Sequence, residues 1–568
     1  MWFDELGEVF DMFKGSFPLS FLFFIPIFII ISPVSPVNAA QEFAVYRMQQ
    51  YDLQGSTFGC KNAIINMEAR SIDSKMLTRR CAVAKLQDVT MPKYRDLMTQ
   101  NAGALLVILP NNLTSLLPEE KQHLQSLEYE LMQEQSTVPV YFALESEYLT
   151  DIYVDVQEGN SGDNAPTAWE ALLSSASANG FQLVISGSQA EAMPDFEIAN
   201  IQGRLSGYGI EEQLPTIVVV AHYDAKGVAP ALSFGADSNA SGMVMLLELA
   251  RLFSKLYTNS RTHAKNPFKI LEYNLVFLLS GGGKFNYQGS KRWIEDNFEA
   301  AEGNILNDVA FVLCLDSLGS SNNLNLHVSK PPREDGAGGQ FFKHLGDVKE
   351  SHFPEVKVGM VHKKINLGDE MLAWEHERFS IKRMLAFTLS HLDTHKSFDR
   401  SSITDQRKAV NPSVIARNTQ LVAEALARQI YNLTSQGSFQ MFTDTLSVED
   451  SVVEAWLNYL AGNPRAAQVL KSDSEVVMTL EQAMGQYLKD VRKTLLKADK
   501  RDPEFIFYTG AEYQMNAYNV KPAVFDLFLA LCIAGYLALT YLFAQKFHVI
   551  YYALKRSVIS TSPKTKVN

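Results

Sequence analysis

The chain has 568 residues, of which 46% are hydrophobic and 20% are charged, and its formal net charge is -12 at pH 7. This composition excludes a disordered chain, because so much apolar side-chain surface can form several buried cores. The acidic balance disfavours electrostatic binding of nucleic acid, and the sequence has no glycine-rich loop ending in Lys and then Ser or Thr. We therefore expect no nucleic-acid partner.

The first predicted element is an apolar segment near the amino terminus. Residues 19–31 are apolar over a length typical of a signal peptide, and the small side chains of Val37 and Ala39 suit cleavage after Ala39 or Ala40. The charged residues before the segment are mostly acidic (Asp4, Glu5, Glu8 and Asp11 against Lys14), which is unusual for a signal peptide and leaves an uncleaved signal anchor as the alternative. Residues 1–40 are therefore predicted to be a signal peptide or a signal anchor.

Residues 41–206 are predicted to form an amino-terminal α/β lobe. Short apolar runs such as GALLVILP and VPVYFAL alternate in this part with charged stretches that have helical spacing. Cys60 and Cys81 could pair in an oxidising compartment, although four cysteines in the whole chain neither require nor exclude a disulfide.

Residues 207–435 contain the motifs that indicate a functional site. Residues 216–221 form a near-continuous apolar run, which predicts a buried strand, and His222 follows it directly. The ring of His222 is then expected at the carboxyl edge of the sheet, where open α/β sheets bind their ligands. Asp224 lies two residues further and shares the same face, so it suits an acceptor for the imidazole N–H.

The segment HYDAKGVAPALSFGADSNASG resembles the M28 family of zinc aminopeptidases, in which a His-x-Asp strand end is followed by Gly-Ala-Asp-Asp-Asn-x-Ser-Gly. The resemblance implies an M28 peptidase-like mixed sheet flanked by helices. It also implies that His222, Asp237, Asp316 and a late histidine occupy the family's zinc-ligand positions. His391 follows the strand-like run AFTLS and is the preferred late histidine, with His395 as the alternative.

The second half of the family's metal motif is replaced. M28 enzymes carry two adjacent glutamates after the next strand, one as the general base and one as a zinc ligand, whereas this chain has Gly283 and Lys284 there. Glycine has no proton acceptor and lysine carries a positive charge, so we expect no catalytic residues, no bound metal and no cofactor. We further hypothesise that Lys284 replaces a metal ion as the counter-ion of Asp237 and Asp316, because unpaired buried carboxylates are costly.

The alternative is an active, membrane-anchored zinc aminopeptidase that takes its base from elsewhere. Glu272 and Glu295 are the nearest acidic candidates. Glu272 precedes its strand and so lies at the end far from the site, whereas Glu295 falls within the following helix. Neither position suits a general base, and we favour the non-catalytic interpretation.

The carboxyl-terminal part predicts a membrane anchor. Residues 436–522 contain two stretches with helical spacing, 448–461 and 475–497, and are predicted to form a lumenal helical stalk. Residues 523–543 are apolar over a length that crosses a bilayer, and residues 544–568 carry a basic tail that belongs on the cytosolic face. The chain is therefore predicted to be a single-pass type I protein with its bulk in the lumen. Three N-glycosylation sequons begin at Asn112, Asn239 and Asn432, and Asn432 is the preferred acceptor.

The complete layout, together with SGGGKFNYQG, HVSKPPRE and LAWEHERF, resembles the nicastrin-related branch of the M28 family in the endoplasmic reticulum. That resemblance implies a non-catalytic membrane scaffold subunit. It also implies assembly with Nodal modulator and a small multispanning membrane protein at the translocon, a role in multipass membrane protein biogenesis, and a link to Nodal signalling.

Overall fold

The structure is a computed structural model that describes residues 40–61, 64–160, 180–207, 214–258, 273–299, 306, 308–433, 439–520 and 523–560. The predicted signal peptide or signal anchor lies outside the described residues. So do Glu272 and the last eight residues of the predicted basic tail.

The strands of the described residues form two sheets and a closed barrel. In chain order they are β1 (Ala40–Arg47), β2 (Gln50–Leu53), β3 (Ser56–Cys60), β4 (Asn66–Ser71), β5 (Cys81–Lys85), β6 (Ala104–Leu109), β7 (Gln135–Ser136), β8 (Val140–Leu144), β9 (Gly180–Ile185), β10 (Ala192–Met193), β11 (Glu197–Leu205), β12 (Thr216–His222), β13 (Asn274–Ser280), β14 (Val309–Leu315), β15 (Asn323–Val328), β16 (Lys357–His362), β17 (Ala386–Ser390), β18 (Lys489–Lys497), β19 (Phe505–Tyr508) and β20 (Glu512–Val520).

The α-helices pack on the faces of these sheets and extend beyond them at the carboxyl end. In chain order they are α1 (Met91–Thr99), α2 (Pro118–Gln133), α3 (Glu147–Asn160), α4 (Gly242–Thr258), α5 (Gln288–Glu299), α6 (Ala337–His352), α7 (His376–Ile381), α8 (Pro412–Ile430), α9 (Asp450–Leu460), α10 (Glu475–Tyr487) and α11 (Ala523–Ser560).

The amino-terminal lobe is built on the closed barrel, whose strand order is β1-β20-β9-β4-β5-β6-β8. Successive side chains of a strand point to opposite faces, and both faces of β6 are buried. Leu105 and Val107 belong to one hydrophobic core and Leu106 to another. Cys60 lies in the first core and Cys81 in the second, and both are free thiols. The suggested disulfide is therefore wrong in this structure, because the strand layer separates the two sulfur atoms.

The central sheet has the order β16-β15-β17-β14-β12-β13-β11-β18 and carries the predicted peptidase-like body. Its middle strands β17, β14, β12 and β13 are parallel. Alternate residues of β12 pack on opposite faces, with Val219 against the core that contains α4 and α8, and Val220 against Trp293 of α5 and its neighbours. The predicted mixed sheet flanked by helices is confirmed, and the buried strand predicted before His222 is present as β12.

The predicted stalk differs from the structure. Helices α9 and α10 lie where the spacing placed helices, but the rest of this region forms strands that return to both lobes. Strand β18 pairs antiparallel with β11 at the edge of the central sheet, and β20 lies between β1 and β9 in the barrel. The helix predicted over 475–497 ends at Tyr487, because the following residues pair with β11 and this pairing prevails over the local helical spacing.

The two lobes meet at a buried carboxylate of α2, Glu128. Its Oε1 accepts the backbone N–H groups of Val228 at 3.2 Å and Ile403 at 3.1 Å, and the Ser402 hydroxyl donates to its Oε2. Burial raises the pKa of Glu128 to about 7, although these three donors act in the opposite direction. The contact joins the amino-terminal lobe to the loop that also carries Arg400.

Replacing Glu128 with Gln is expected to make stability less dependent on pH. A carboxyl whose pKa is raised by folding stabilises the fold fully below its unfolded pKa, and this stabilisation is lost as pH rises through the folded value of about 7. The contribution is on the order of 3 kcal/mol. Chemical denaturation of both proteins at several pH values measures it. If the free energy of unfolding depends on pH equally in Glu128→Gln and the parent, the raised pKa of Glu128 is contradicted.

Helix α11 contains a segment, Asp526–Val549, that is long and apolar enough to cross a membrane, and no other helix of the described residues meets that condition. A helix of 38 residues is about 57 Å long, whereas the hydrocarbon core of a bilayer is about 30 Å thick. The helix therefore continues beyond the predicted span of residues 523–543. This geometry is consistent with a single-pass membrane protein.

Candidate functional site

The candidate site lies where neighbouring parallel strands of the central sheet end. His222 is the last residue of β12, Asp316 directly follows β14, and His391 directly follows β17. The loop with Gly283 and Lys284 begins immediately after β13. Because the carboxyl ends of parallel strands share one edge of a sheet, the predicted positions come together as the sequence pattern indicates.

Asp237 is fully engaged by hydrogen-bond donors. Its Oδ2 lies 2.8 Å from Nε2 of His391, and its Oδ1 accepts the N–H groups of Leu318 at 3.0 Å and Gly319 at 2.7 Å and the hydroxyl of Ser241 at 2.9 Å. Burial alone would raise the pKa of Asp237, but His391 and the other donors lower it overall. The same pairing raises the pKa of His391 against the effect of burial. The structure thus places His391, rather than His395, beside Asp237.

Asp316 is paired with Arg400, a residue that the sequence motifs did not reveal. The guanidinium Nε and Nη2 lie 2.9 and 2.6 Å from Oδ2 of Asp316. Although burial opposes ionisation, the charge of Arg400 holds the pKa of Asp316 well below its usual range. Arg400 also donates to the Tyr287 hydroxyl at 2.7 Å and stacks over the Trp374 ring at 4.3 Å. Its position is therefore fixed on several sides.

Lys284 is buried in the same cleft, but its contacts differ from the hypothesis. Its Nζ donates to the Ser238 hydroxyl at 2.6 Å and to the Arg400 carbonyl at 2.9 Å. No carboxylate of the described residues lies within 4.0 Å of it, since Asp237 is paired with His391 and Asp316 with Arg400. Lys284 is thus not their direct counter-ion. Burial lowers the pKa of Lys284 to about 8, while the nearby carboxylates act against that effect.

The acceptor for His222 is Glu375 rather than Asp224. Nδ1 of His222 lies 3.2 Å from Oε2 of Glu375, whose other oxygen accepts the hydroxyls of Ser280 at 2.7 Å and Ser290 at 2.5 Å. The predicted role of Asp224 is therefore wrong. The loop after β13 turns back over β12, and Asp224 accepts two of that loop's backbone N–H groups, at 2.7 and 2.9 Å.

Gly283 leaves no room for a side chain. A Cβ atom built there would lie 2.3 Å from both Cβ and Cγ of His222, a separation that real atoms do not adopt. The position predicted to have lost a general base is therefore closed by the packing of His222 against the glycine. Asn239 is also fully buried, and its side-chain amide donates to the His222 carbonyl. Because this amide is buried in the folded chain, we expect no glycan at Asn239.

Two further charged residues, Asp405 and Arg465, support the site. Asp405 accepts the backbone N–H groups of Asp237 at 2.8 Å and Ser238 at 2.7 Å, and burial raises its pKa to about 7. The guanidinium of Arg465, fully buried, donates to backbone carbonyls that include those of Tyr223 and Gly235, both at 2.6 Å. These contacts hold the Asp237 loop in place. No sequence motif identifies Asp405 or Arg465, because both residues bind backbone groups.

The arrangement does not fit two zinc ions. Nε2 of His222 is buried and has no hydrogen-bond partner, so it is the one atom of the set that resembles an open ligand. Around it, however, Asp237 is saturated, Asp316 holds Arg400, and Lys284 adds a second cation. Within the described ranges, no three His, Cys, Asp or Glu side chains form a group that could hold a metal ion.

Comparison with known proteins places these features in a family. A family model described as Peptidase family M28 matches residues 200–426. The chain is 50% identical to a Danio rerio protein named BOS complex subunit ncln, covering 99% of this chain and 100% of that protein. It is 49% identical to the Mus musculus BOS complex subunit NCLN over 98% and 99% of the two chains. A Caenorhabditis elegans protein named Nicalin is 30% identical over 94% of this chain and 96% of its own length.

Proposed function

This chain belongs to the nicalin family, and from that membership we propose that it is a non-catalytic scaffold subunit of a membrane-protein complex in the endoplasmic reticulum. Its partners in the proposal are Nodal modulator and a small multispanning membrane protein. The complex acts with the translocon in multipass membrane protein biogenesis, and a link to Nodal signalling follows from the same resemblance. Relatives named as BOS complex subunits over nearly the full length support the assembly role.

The non-catalytic part of the proposal rests mainly on Arg400 and Lys284. Two-zinc hydrolysis requires carboxylates free to bind metal and a base that deprotonates the bound water. Here the guanidinium of Arg400 lies on Asp316, and Lys284 lies in the same cleft. A single positive charge about 4 Å from a divalent ion repels it by roughly 8 kcal/mol at an effective dielectric constant near 20. Gly283, closed off by His222, supplies no base.

The proposed orientation is type I, with the bulk of the chain in the lumen and residues 544–568 in the cytosol. The membrane helix lies near the carboxyl end, so nearly all of the folded body is on one side of it. Basic residues follow the apolar segment, including Lys546, Lys555 and Arg556, and no acidic residue occurs after Asp526. Such a charge pattern favours the cytosolic side for the tail.

Glycosylation tests that orientation. Asn112 and Asn432 are exposed, whereas Asn239 is fully buried. We expect Asn112→Gln and Asn432→Gln each to remove one glycan, and Asn239→Gln to remove none, because the acceptor amide must reach the transferase. Gel mobility of the three variants, with and without glycosidase treatment, measures the effect. A chain that carries no glycan at either exposed site would argue against a lumenal body.

Purification of the tagged full-length chain tests the assembly. After extraction in a mild detergent, Nodal modulator and a small multispanning membrane protein are expected in about equal amounts with this chain. A variant in which α11 is exchanged for an unrelated apolar helix separates contacts made in the membrane from contacts made by the folded body. Recovery of the parent chain as a lone monomer would reject the scaffold proposal.

Metal content tests the alternative of an active aminopeptidase. Glu295, the remaining candidate base within the described residues, lies in α5 with its side chain half-buried, and it does not line the cleft. We expect far less than one zinc ion for each purified chain and no amino-terminal trimming of peptides. Two tightly held zinc ions, together with trimming that a chelator abolishes, would favour the enzyme.

A further inference from the structure

A cavity of about 510 Å³ lies between the amino-terminal lobe and the peptidase-like body. Tyr51 and Tyr129 contribute to its wall from the first lobe, and Tyr287 and Phe398 contribute from the second. This volume falls within the range of roughly 300–1,000 Å³ that is typical of ligand sites. Aromatic walls of this kind offer apolar contact area to a bound chain.

The cavity is deep at one end and open at the other. Gly283, Lys284 and Tyr287 line it and are buried, with Lys284 only 6% exposed. Glu370 and Lys396 also line it and are exposed, which places them at its rim. A cavity with this gradient accepts the end of a chain more readily than a continuous strand passing through it.

The lining is basic although the whole chain carries a net charge of -12. Lys226, Lys284, Lys396 and Arg400 line the cavity, whereas its acidic residues, Asp369 and Glu370, are exposed at the rim. Three of the four cations, all except Lys396, therefore lie deeper in the cavity than the two acids. Within such a low-dielectric cleft, this distribution favours an anionic group over a cationic one.

Two of these cations have only neutral partners. Nζ of Lys284 uses the Ser238 hydroxyl and the Arg400 carbonyl, which leaves one of its three N–H groups without a contact in the described part of the chain. Nζ of Lys226 donates to the Tyr51 hydroxyl at 2.9 Å and lies 5.3 Å from the centre of the Phe285 ring. The carboxylates whose charges act on Lys284, Asp224, Asp316 and Asp405, are each held by other donors. A ligand carboxylate would therefore supply the direct charged partner that the ammonium of Lys284 lacks.

We propose that this cavity binds the carboxylate end of an extended peptide, with the carboxylate beside Lys284 and apolar side chains against the aromatic wall. An aminopeptidase cleft receives the positively charged amino terminus of its substrate. Here the ammonium of Lys284 repels such a group, and Asp316, which could attract it, is paired with Arg400. The loss of the metal ligands has thus reversed the charge of the group that the cleft accepts. This inference goes beyond the scaffold role and does not depend on it.

Fluorescence anisotropy on the full-length chain in detergent tests the proposal with three peptides labelled at the amino end. The first is Ala-Leu-Phe-Leu with a free carboxylate, the second is the same peptide as its amide, and the third is the amide of Ala-Leu-Phe-Asp. We expect the free acid to bind and both amides to bind at least about tenfold more weakly, because a charged hydrogen bond is lost or misplaced.

Variants of Lys284 provide an independent test. Lys284→Met should weaken binding of the free acid by about tenfold, whereas Lys284→Arg should retain most of it. Lys291→Met is the matched control, because Lys291 pairs with Glu504 and does not line the cavity. Thermal unfolding of each variant checks that it is folded, and the three-peptide comparison on the parent chain remains decisive if a variant is not.

Several outcomes would overturn the proposal. Equal binding of the free acid and its amide would show that the carboxylate is not recognised. Equal binding of the free acid and the Asp amide would show that an acidic side chain suffices and that the carboxyl terminus of the peptide is not recognised. Absence of saturable binding of the free acid would leave the cavity without a peptide ligand of this class. Undiminished binding by a folded Lys284→Met chain would exclude Lys284 as the anchor.

Discussion

Arg400→Met is expected to destabilise the folded chain by about 3–5 kcal/mol at neutral pH, because it leaves the buried carboxylate of Asp316 without its counter-charge. The side chain of Asp316 is 3% exposed and that of Arg400 is 12% exposed, so solvent compensates little for the lost pair. The contacts of Arg400 with Tyr287 and Trp374 are lost as well. Chemical denaturation followed by tryptophan fluorescence measures the change.

The double variant Arg400→Met with Asp316→Asn is the control for this result. If the cost arises from the unpaired carboxylate, removing that charge should restore most of the lost stability. A double variant as unstable as Arg400→Met alone would assign the cost to lost packing of the guanidinium instead.

The dependence on pH provides a second check. Arg400 holds the pKa of Asp316 well below its usual range, so the ion pair stabilises the fold above the ordinary Asp pKa and is lost as pH falls through the depressed value. Without Arg400, burial raises the pKa of Asp316, and the carboxyl becomes neutral at a higher pH. The stability gap between Arg400→Met and the parent should therefore narrow as pH falls from about 7 towards about 5.

The strands of the central sheet were predictable from local pattern. The apolar run of β12 is long enough and uniform enough to identify a strand buried on both faces. Once these strands are taken as parallel, the meeting of His222, Asp316 and His391 at one edge follows from sheet geometry alone. These positions depend only on the order of residues along the chain and on the sheet, so they were predictable.

The partners of these residues were not predictable in the same way. Arg400 lies 84 residues after Asp316 in a loop with no regular period, and Glu375 lies 153 residues after His222. Which cation meets which carboxylate depends on how loops pack, and no spacing rule encodes that. The assignment of Lys284 to Asp237 and Asp316 failed for this reason: its charge and burial were inferable, but the direction of its side chain was not.

The strands after α10 show a different limit. Local spacing in β18 allows a helix, and the partner that decides the outcome, β11, lies almost 300 residues earlier. A sheet edge with unpaired N–H and C=O groups recruits such a segment and satisfies those groups. The same long-range pairing brings β20 into the amino-terminal barrel, so the region predicted as a separate stalk stabilises both lobes.

Restoring the two family glutamates, Gly283→Glu with Lys284→Glu, is expected to unfold the site rather than recreate a metal centre. The side chain at position 283 would begin 2.3 Å from His222, so the loop or the His222 ring must move. The second change removes a buried cation and places another carboxylate near Asp316 and Asp405, whose charges already act on position 284. Together these effects should cost at least about 4 kcal/mol.

Lys284→Met is the matched control, because it removes the charge without adding a carboxylate or a clash. Its expected cost is smaller, about 1–3 kcal/mol, from the loss of hydrogen bonds to Ser238 and the Arg400 carbonyl. Denaturation and zinc content of both variants distinguish the causes. A stable double variant that binds about two zinc ions would show that only these two positions block the metal site. Zinc-free and destabilised protein is the result that we expect. Arg400 still pairs with Asp316, and the folded chain requires the packing of His222 against Gly283, so the two glutamates alone do not restore the metal site.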